Sequence, residues 1–361
     1  MECSKLNKVT IRDVARRADV SVATVSHVIN DTHYVSPKLR KQVLDAIEAL
    51  NYRPNRLAQA LNNRTIPLLA LIVPDISNPY WSHVARAIQD ITDRHDYSVI
   101  VCSTDGLLER EVRFLRSLMG WISGLILHPY HVTHEQVSRF MGKSIPVVII
   151  GDFVAVEEPP SHWDWVGGNN QGGAQAAVEH LLALGHRRIA FIQGPVDTPT
   201  GIKRLAGFRR AFEVAGLPVC EELLVYGDYT QEGGRQAMST LLNLPEPPTA
   251  VFCANDYSAF GALETAQRHG YQIPQDLSIV GFDDIDEAAL VTPPLTTIRQ
   301  SPRELGAISA TKLIERLQGR TDPVRIPIDF SLVIRESTAR PRSGEPATVR
   351  PIFEKKEERI R

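Results

Sequence analysis

Five side chains in one short stretch, Val22, Ala23, Thr24, Ser26 and His27, have the types and spacing to meet the edges of nucleic-acid bases. Set at about 100° per residue, they share one side of a helix, with Ala23 and His27 at its centre. Small groups let the backbone come close to a base. An imidazole can donate to a guanine acceptor, and the carbons of Val22, Ala23 and Thr24 can meet thymine methyls. Val25, Val28 and Ile29 fall on the opposite side, which leaves one face to bury and one to use.

A second set of groups is spread over six loops: residues 74–81 (P-D-I-S-N-P-Y-W), Asp152-Phe153, residues 194–204, Gly227-Asp228-Tyr229, Asn255-Asp256, and Gly281-Phe282-Asp283-Asp284. Aromatic faces can stack on a flat ligand or on the apolar face of a sugar. Carboxylates, amides and arginine can hydrogen-bond hydroxyls in pairs. Any one of these loops could equally be a lid or a helix cap, but six on one rim make a pocket for a small molecule. His128-x-x-His131-x-x-His134 could hold a metal, yet Pro129 interrupts helical spacing, and solvent-exposed loop histidines are the alternative. Asp283-Asp284-x-Asp286-Glu287 could attract a cation, though capping and ligand contact explain it as well. The chain has no phosphate loop, no G-x-S-x-G and no H-E-x-x-H. Neither an enzyme nor a metal or cofactor is expected; a metal-dependent enzyme is the remote alternative.

The elements that must carry these groups can be read from periodicity. Thr10, with Asp13 three residues on, caps a helix whose stripe is Ile11, Val14, Ala15 and Ala18. Ser21 caps the second helix. Ser36-Pro37 opens a third, striped by Leu39, Val43, Ala46, Ile47 and Leu50. Two short helices joined by a tight turn and braced by a third make a helix-turn-helix unit. Pro54 opens a short further helix to Leu61. Beyond residue 66, apolar runs at 68–73, 98–102, 124–127, 147–150, 188–193, 223–226, 250–253 and 277–281 alternate with helical stretches near 80–94, 108–119 and 172–184. Such alternation predicts two doubly wound lobes of parallel sheet. Ligands of such sheets sit at the carboxyl ends of the strands, so the cleft between the lobes is the expected pocket. The fold class is thus an all-α helix-turn-helix head and hinge helix joined to an α/β body.

Charge divides the same way. Residues 1–64 carry 11 Lys and Arg against 6 Asp and Glu, a balance of +5; the rest carry 29 against 36, or −7. A basic head on an acidic body fits phosphate contact by the head alone. The 361 residues are 43% hydrophobic and 23% charged, a globular composition. There is no apolar run of about 18 residues for a membrane and no signal-like start. Four scattered cysteines (Cys3, Cys102, Cys220, Cys253) suit reduced thiols. A cytoplasmic protein without a membrane partner is expected.

Head and body together resemble the lactose-repressor/galactose-repressor family of bacterial transcription regulators, from about Val9 to Arg340. T-V-S-H-V-I-N and the hinge Y-R-P-N-R-L-A-Q-A-L carry the likeness; R-L-A-G-F, A-V-F-C-A-N-D, I-V-G-F-D-D and P-P-L-T-T-I support it. S-H-V-I-N and G-P-x-D bring it nearest to the ribose and purine repressors. The resemblance implies a periplasmic-binding-protein-like body and a homodimer, most simply a repressor, on a palindromic operator of double-stranded DNA. Val22, Ala23 and His27 then read bases, and Leu61 wedges into the minor groove, unless it only packs on Leu57. Thr10, Ser21, Thr24, Ser26, Asn30, Tyr52, Asn55, Arg56 and Ala58 complete the expected DNA contacts. The effector set is Tyr80, Trp81, Asp152, Phe153, Thr198, Thr200, Arg204, Tyr229, Asn255 and Asp283, with Arg204 and Asp283 foremost. Thr198 stands where purine repressors have arginine, and the family's D-N-x-x-G-G becomes Gly168-Asn169-Asn170-Gln171-Gly172-Gly173, with one acid fewer. Tyr229 and the acid-rich rim favour a sugar or sugar derivative. A catabolite-control type of regulator, answering to a phosphocarrier protein, is the alternative.

The expected divisions are a head over 1–53, a hinge over 54–66, a first lobe over 67–166 plus 298–324, and a second over 167–297 plus 325–340. The chain returns to the first lobe near Thr297. Residues 341–361, without leucine heptads, read as a disordered tail, which favours a dimer over a tetramer.

Overall fold

The computed structural model describes residues 9–30, 33–52, 67–142, 144–152 and 162–342. The expected hinge residues Asn55, Arg56, Ala58 and Leu61, the pocket candidate Phe153 and the tail beyond 342 lie outside them. The chain forms two compact units, divided after Ile66.

The first unit holds α1 (Ile11–Arg17), α2 (Val22–Asn30) and α3 (Pro37–Ala49). At the start of α1, the Thr10 hydroxyl and backbone N–H both donate to the Asp13 carboxylate, at 2.7 and 2.9 Å. Ser21 accepts from the Thr24 amide at 3.1 Å, so it caps α2. Val14, Ala15, Ala18, Val25, Val28, Val43 and Ala46 close a small core, with Tyr52 packed against it.

The second unit is two-lobed. Its first stretch runs β1 (Leu68–Val73), α4 (Pro79–Thr92), β2 (Ser98–Ser103), α5 (Leu108–Leu118), β3 (Gly124–Leu127), α6 (His134–Met141), β4 (Val147–Ile150) and β5 (Asp164–Gly168). The second runs α7 (Asn170–Leu184), β6 (Ile189–Gln193), α8 (Pro199–Val214), β7 (Leu224–Tyr226), α9 (Gln231–Leu242), β8 (Ala250–Cys253), α10 (Asp256–Arg268), β9 (Ser278–Asp283) and β10 (Thr296–Arg299). The chain then crosses through α11 (Pro302–Leu317), β11 (Arg325–Ile328) and β12 (Ser331–Val333).

One sheet has the order β11-β5-β4-β3-β1-β2, the other β12-β10-β9-β8-β6-β7. The first is wholly parallel. In the second, only β12 runs antiparallel, against β10. Central strands such as β3, β4 and β8 are buried along their whole length, as strands covered by helices on both faces must be. Apolar clusters fill both faces of each sheet.

The crossovers fall later than the sequence predicts. β10 pairs with β9, so the chain leaves the second lobe after Arg299 rather than near Thr297. Arg325–Ile328 extends the first sheet beside β5, not the second. Residues 167–168 likewise belong to β5 in the first sheet. The cause is a buried anchor: the Asp164 carboxylate accepts from both Arg320 and the Val324 amide, which registers β11 on β5.

Candidate ligand cleft and base-facing helix

The strand ends of the two sheets meet around a cavity of about 580 Å³. Tyr80, Trp81, Thr200, Arg204, Tyr229, Asn255 and Asp283 all line it, so seven of the ten expected residues come together. Its floor is built on α8. Arg204, 6% exposed, donates from Nε to the Asn170 Oδ1 at 2.9 Å and to the Ala254 carbonyl, and reaches Asp283 at 3.4 Å. Its guanidinium lies 3.6 Å from the centroid of the Phe282 ring. An arginine so placed is fixed by stacking and by fork geometry together.

Burial pushes the Asp283 carboxyl up to about 7, against the pull of Arg204. Asp283 and Tyr229 also sit at positive φ, +119° and +66°, a conformation that costs a non-glycine residue energy and recurs at ligand sites. Burial raises the Tyr229 hydroxyl to about 12 and raises that of Tyr80 as well, with Asp283 adding to the effect. Trp81 stands edge-on to Tyr80 and to His128, with centroids 5.0 and 4.6 Å apart.

Two expected residues play a different part. Thr198 caps α8: its hydroxyl donates to the Pro195 carbonyl at 2.7 Å and accepts from the Gly201 amide at 3.2 Å. Asp152 is buried outside the cavity lining, where it accepts from Asn170 at 2.9 Å and from Lys203 at 2.5 Å. Both are wiring rather than wall. Asn255 lines the cavity but also caps α10 through the Ser258 amide and donates to the Tyr229 carbonyl. With Gly168 in the place of the family's acid, Asn169 still caps α7, its side-chain oxygen accepting from the Gly172 amide at 2.8 Å.

The structure adds His128, Tyr130, Asn170 and Gln300 to the wall. His128 starts the loop after β3. Burial pulls its pKa down to about 3, with Arg204 adding to the effect, so the ring is neutral near pH 7. That loop is held by Glu111, whose buried carboxylate accepts the amides of Tyr130, His131 and Val132 at 2.8, 2.9 and 3.1 Å. His134 begins α6 instead of continuing the loop. The three histidines therefore share no helix face, and among the described residues no group of three or more His, Cys, Asp or Glu is placed to hold a metal. Asp284 bonds Arg299 and Arg335 at 2.6 Å each, so that carboxylate is engaged by arginines. Glycines make room for the wall: a Cβ at Gly194 would collide with the Tyr229 ring, and one at Gly168 with the Gln300 amide.

In the first unit, α2 presents Val22 and Ala23 to solvent, with Thr24, Ser26 and His27 half-buried beside them. Val22 is 42% exposed, a level its burying face (Val25, Val28) does not approach. His27 lies 4.4 Å from His33, ring to ring. Thr10 and Ser21 are exposed at helix starts, and Tyr52 is half-buried. Asn30 closes α2.

Residues 10–55 match the family described as bacterial regulatory proteins, lacI family, and residues 178–338 match the periplasmic binding protein-like domain. The chain is 36% identical over 333 residues to catabolite control protein A of Priestia megaterium, covering 91% of this chain and 99% of that protein. It is similar to the crystal structure of the lac repressor dimer bound to operator and the anti-inducer ONPF, with a TM-score of 0.78 at 31% identity, covering 92% of this chain and 100% of that one. It is also similar to the transcriptional regulator CelR–cellobiose complex, with a TM-score of 0.68 at 31% identity, covering 91% and 99%. No helix among the described residues is long and apolar enough to cross a membrane.

Proposed function

Because this chain belongs to the lacI family of bacterial regulatory proteins, a family of DNA-binding regulators and not of enzymes, we propose that it is a repressor. In this reading a dimer binds a palindromic operator and responds to a sugar or sugar derivative held between the lobes. The observation that carries the reading is the cleft itself. A buried arginine–carboxylate pair, Arg204 and Asp283, stands between aromatic side chains at the strand ends. That combination offers donors and acceptors for hydroxyls together with flat apolar faces. Similarity to the CelR–cellobiose complex supports it.

Val22, Ala23 and His27 are proposed to read bases, with Thr10, Ser21, Thr24, Ser26, Asn30, Tyr52, Asn55, Arg56 and Ala58 around them. Leu61 is proposed as the minor-groove wedge, where an apolar side chain kinks a flexible step. Ligand closure of the cleft would shift the chain between operator-competent and incompetent states. The test is selection of genomic DNA fragments by the purified protein, repeated at raised salt. A palindrome that survives salt is expected. Only sequence-blind, salt-sensitive retention would overturn the reading.

The likeness to catabolite control protein A favours a second reading, in which a phosphocarrier protein takes the place of the sugar. A phosphocarrier that raises operator affinity, with no sugar shifting the melting curve, would establish it instead.

A further inference from the structure

The cleft wall is strongly one-sided in charge. Asp75, Asp105, Asp197, Asp228 and Asp283 line it, whereas Arg204 is the one Lys or Arg among the described lining residues. Arg204 is already bonded to Asp283, the Ala254 carbonyl and Asn170. The nearby Lys203 is engaged by Asp152, and Arg110 by Asp105. His128 adds no positive charge, since its ring is neutral near pH 7. Asp75, Asp197 and Asp228 therefore face the cavity with no lining Lys or Arg left to answer them.

The cavity wall also carries uncharged polar side chains. His128 and Gln300 line it and are 7% and 5% exposed. A neutral imidazole and an amide are matched by hydroxyls, which can donate or accept. Tyr226, 61% exposed, adds an aromatic face beside the carboxylates of Asp197 and Asp228.

Resting on the saccharide reading above, we propose that this cleft selects by charge: it takes a neutral or ammonium-bearing saccharide and rejects phosphorylated and acidic sugars. A phosphoryl group would be desolvated against carboxylates with its own sign and no free cation, which is penalised by both terms. An ammonium group would meet carboxylates instead.

The test is calorimetric titration of the full chain with pentoses, hexoses and disaccharides, each offered as the free sugar, the amino sugar and the phosphate. The expected result is that binding comes from free or amino sugars, with each matched phosphate weaker by roughly tenfold or more. A phosphate or uronate that binds as tightly as its parent overturns the proposal. Silence across the whole panel overturns the saccharide reading on which it rests, a separate failure. Asp197 is exposed and takes part in no hydrogen bond or ion pair among the described residues. Asp197→Lys should therefore shift the phosphate-to-parent ratio toward the phosphate by roughly tenfold. An unchanged ratio would remove the carboxylates as its cause.

Discussion

Asp283 shows how one buried carboxyl makes the site sensitive to pH. Its pKa is pushed from 3.8 up to about 7, chiefly by burial. A value raised on folding means that the folded chain holds the proton more tightly than the unfolded chain. The resulting stabilisation is full below the unfolded value and is lost as pH rises through about 7. Comparing the wild type with Asp283→Asn in urea, the stability difference should therefore move against the wild type between about pH 5 and pH 8. A difference that stays constant would rule the assignment out. Arg204→Ala strips Asp283, Asn170 and the Ala254 carbonyl of a buried donor, which should destabilise the fold by about 1–3 kcal/mol at neutral pH. A loss under about 1 kcal/mol would mean that the pair is not buried as described. Asp283 was legible because polar residues at the ends of apolar strands face a sheet's ligand edge; Arg204, inside α8, was legible through the family string R-L-A-G-F. His128 and Gln300 were not. His128 is buried by Trp81 from α4, and Gln300 rests on Gly168 from another crossover; neither contact leaves a local pattern. Asp152 and Thr198 were the right residue types near the right place, but capping and ion pairing take up their side chains.

Elements reveal a different division between what the sequence states and what it hides. Continuous apolar runs located β3, β4 and β8 to the residue, because full burial leaves no polar position in them. The edge strands β11 and β12 carry mixed residues, so pairing, not pattern, decides their sheet. The antiparallel β12 had no local signal at all. The R-L-A-G-F string illustrates a motif whose reason is packing. Gly207 lies inside α8, where glycine costs up to about 1 kcal/mol relative to alanine. A Cβ there would collide with the Gln171 carbonyl of α7 and stand 2.9 Å from the Ala174 Cβ. Gly207→Ala should thus destabilise by about 1–3 kcal/mol despite its better helix propensity. A gain in urea midpoint would show that α7 and α8 separate easily.

At the scale of the whole body, the lobes are tied by an ion pair distinct from the ligand groups. Asp152 follows β4 of the first lobe, and Lys203 belongs to α8 of the second; they meet at 2.5 Å. From Asp152 a chain of bonds runs through Asn170 to Arg204 and on to Asp283. The floor of the cavity and the tie between lobes are therefore one network, and a ligand that engages Arg204 acts on both. Lys203 is 50% exposed, so solvent screening limits the pair to about 1 kcal/mol. Lys203→Met should lower the share of closed molecules by that amount and raise the ligand concentration for half-effect by roughly fivefold. Tryptophan fluorescence can follow this, since Trp81 lines the cavity. In the proposed reading, effector and operator binding would be linked reciprocally, so a change in lobe closure should also alter how far the effector shifts operator affinity. If the variant keeps the wild-type effector midpoint and the wild-type shift in operator affinity, the Asp152–Lys203 pair is a passive contact and closure is governed elsewhere.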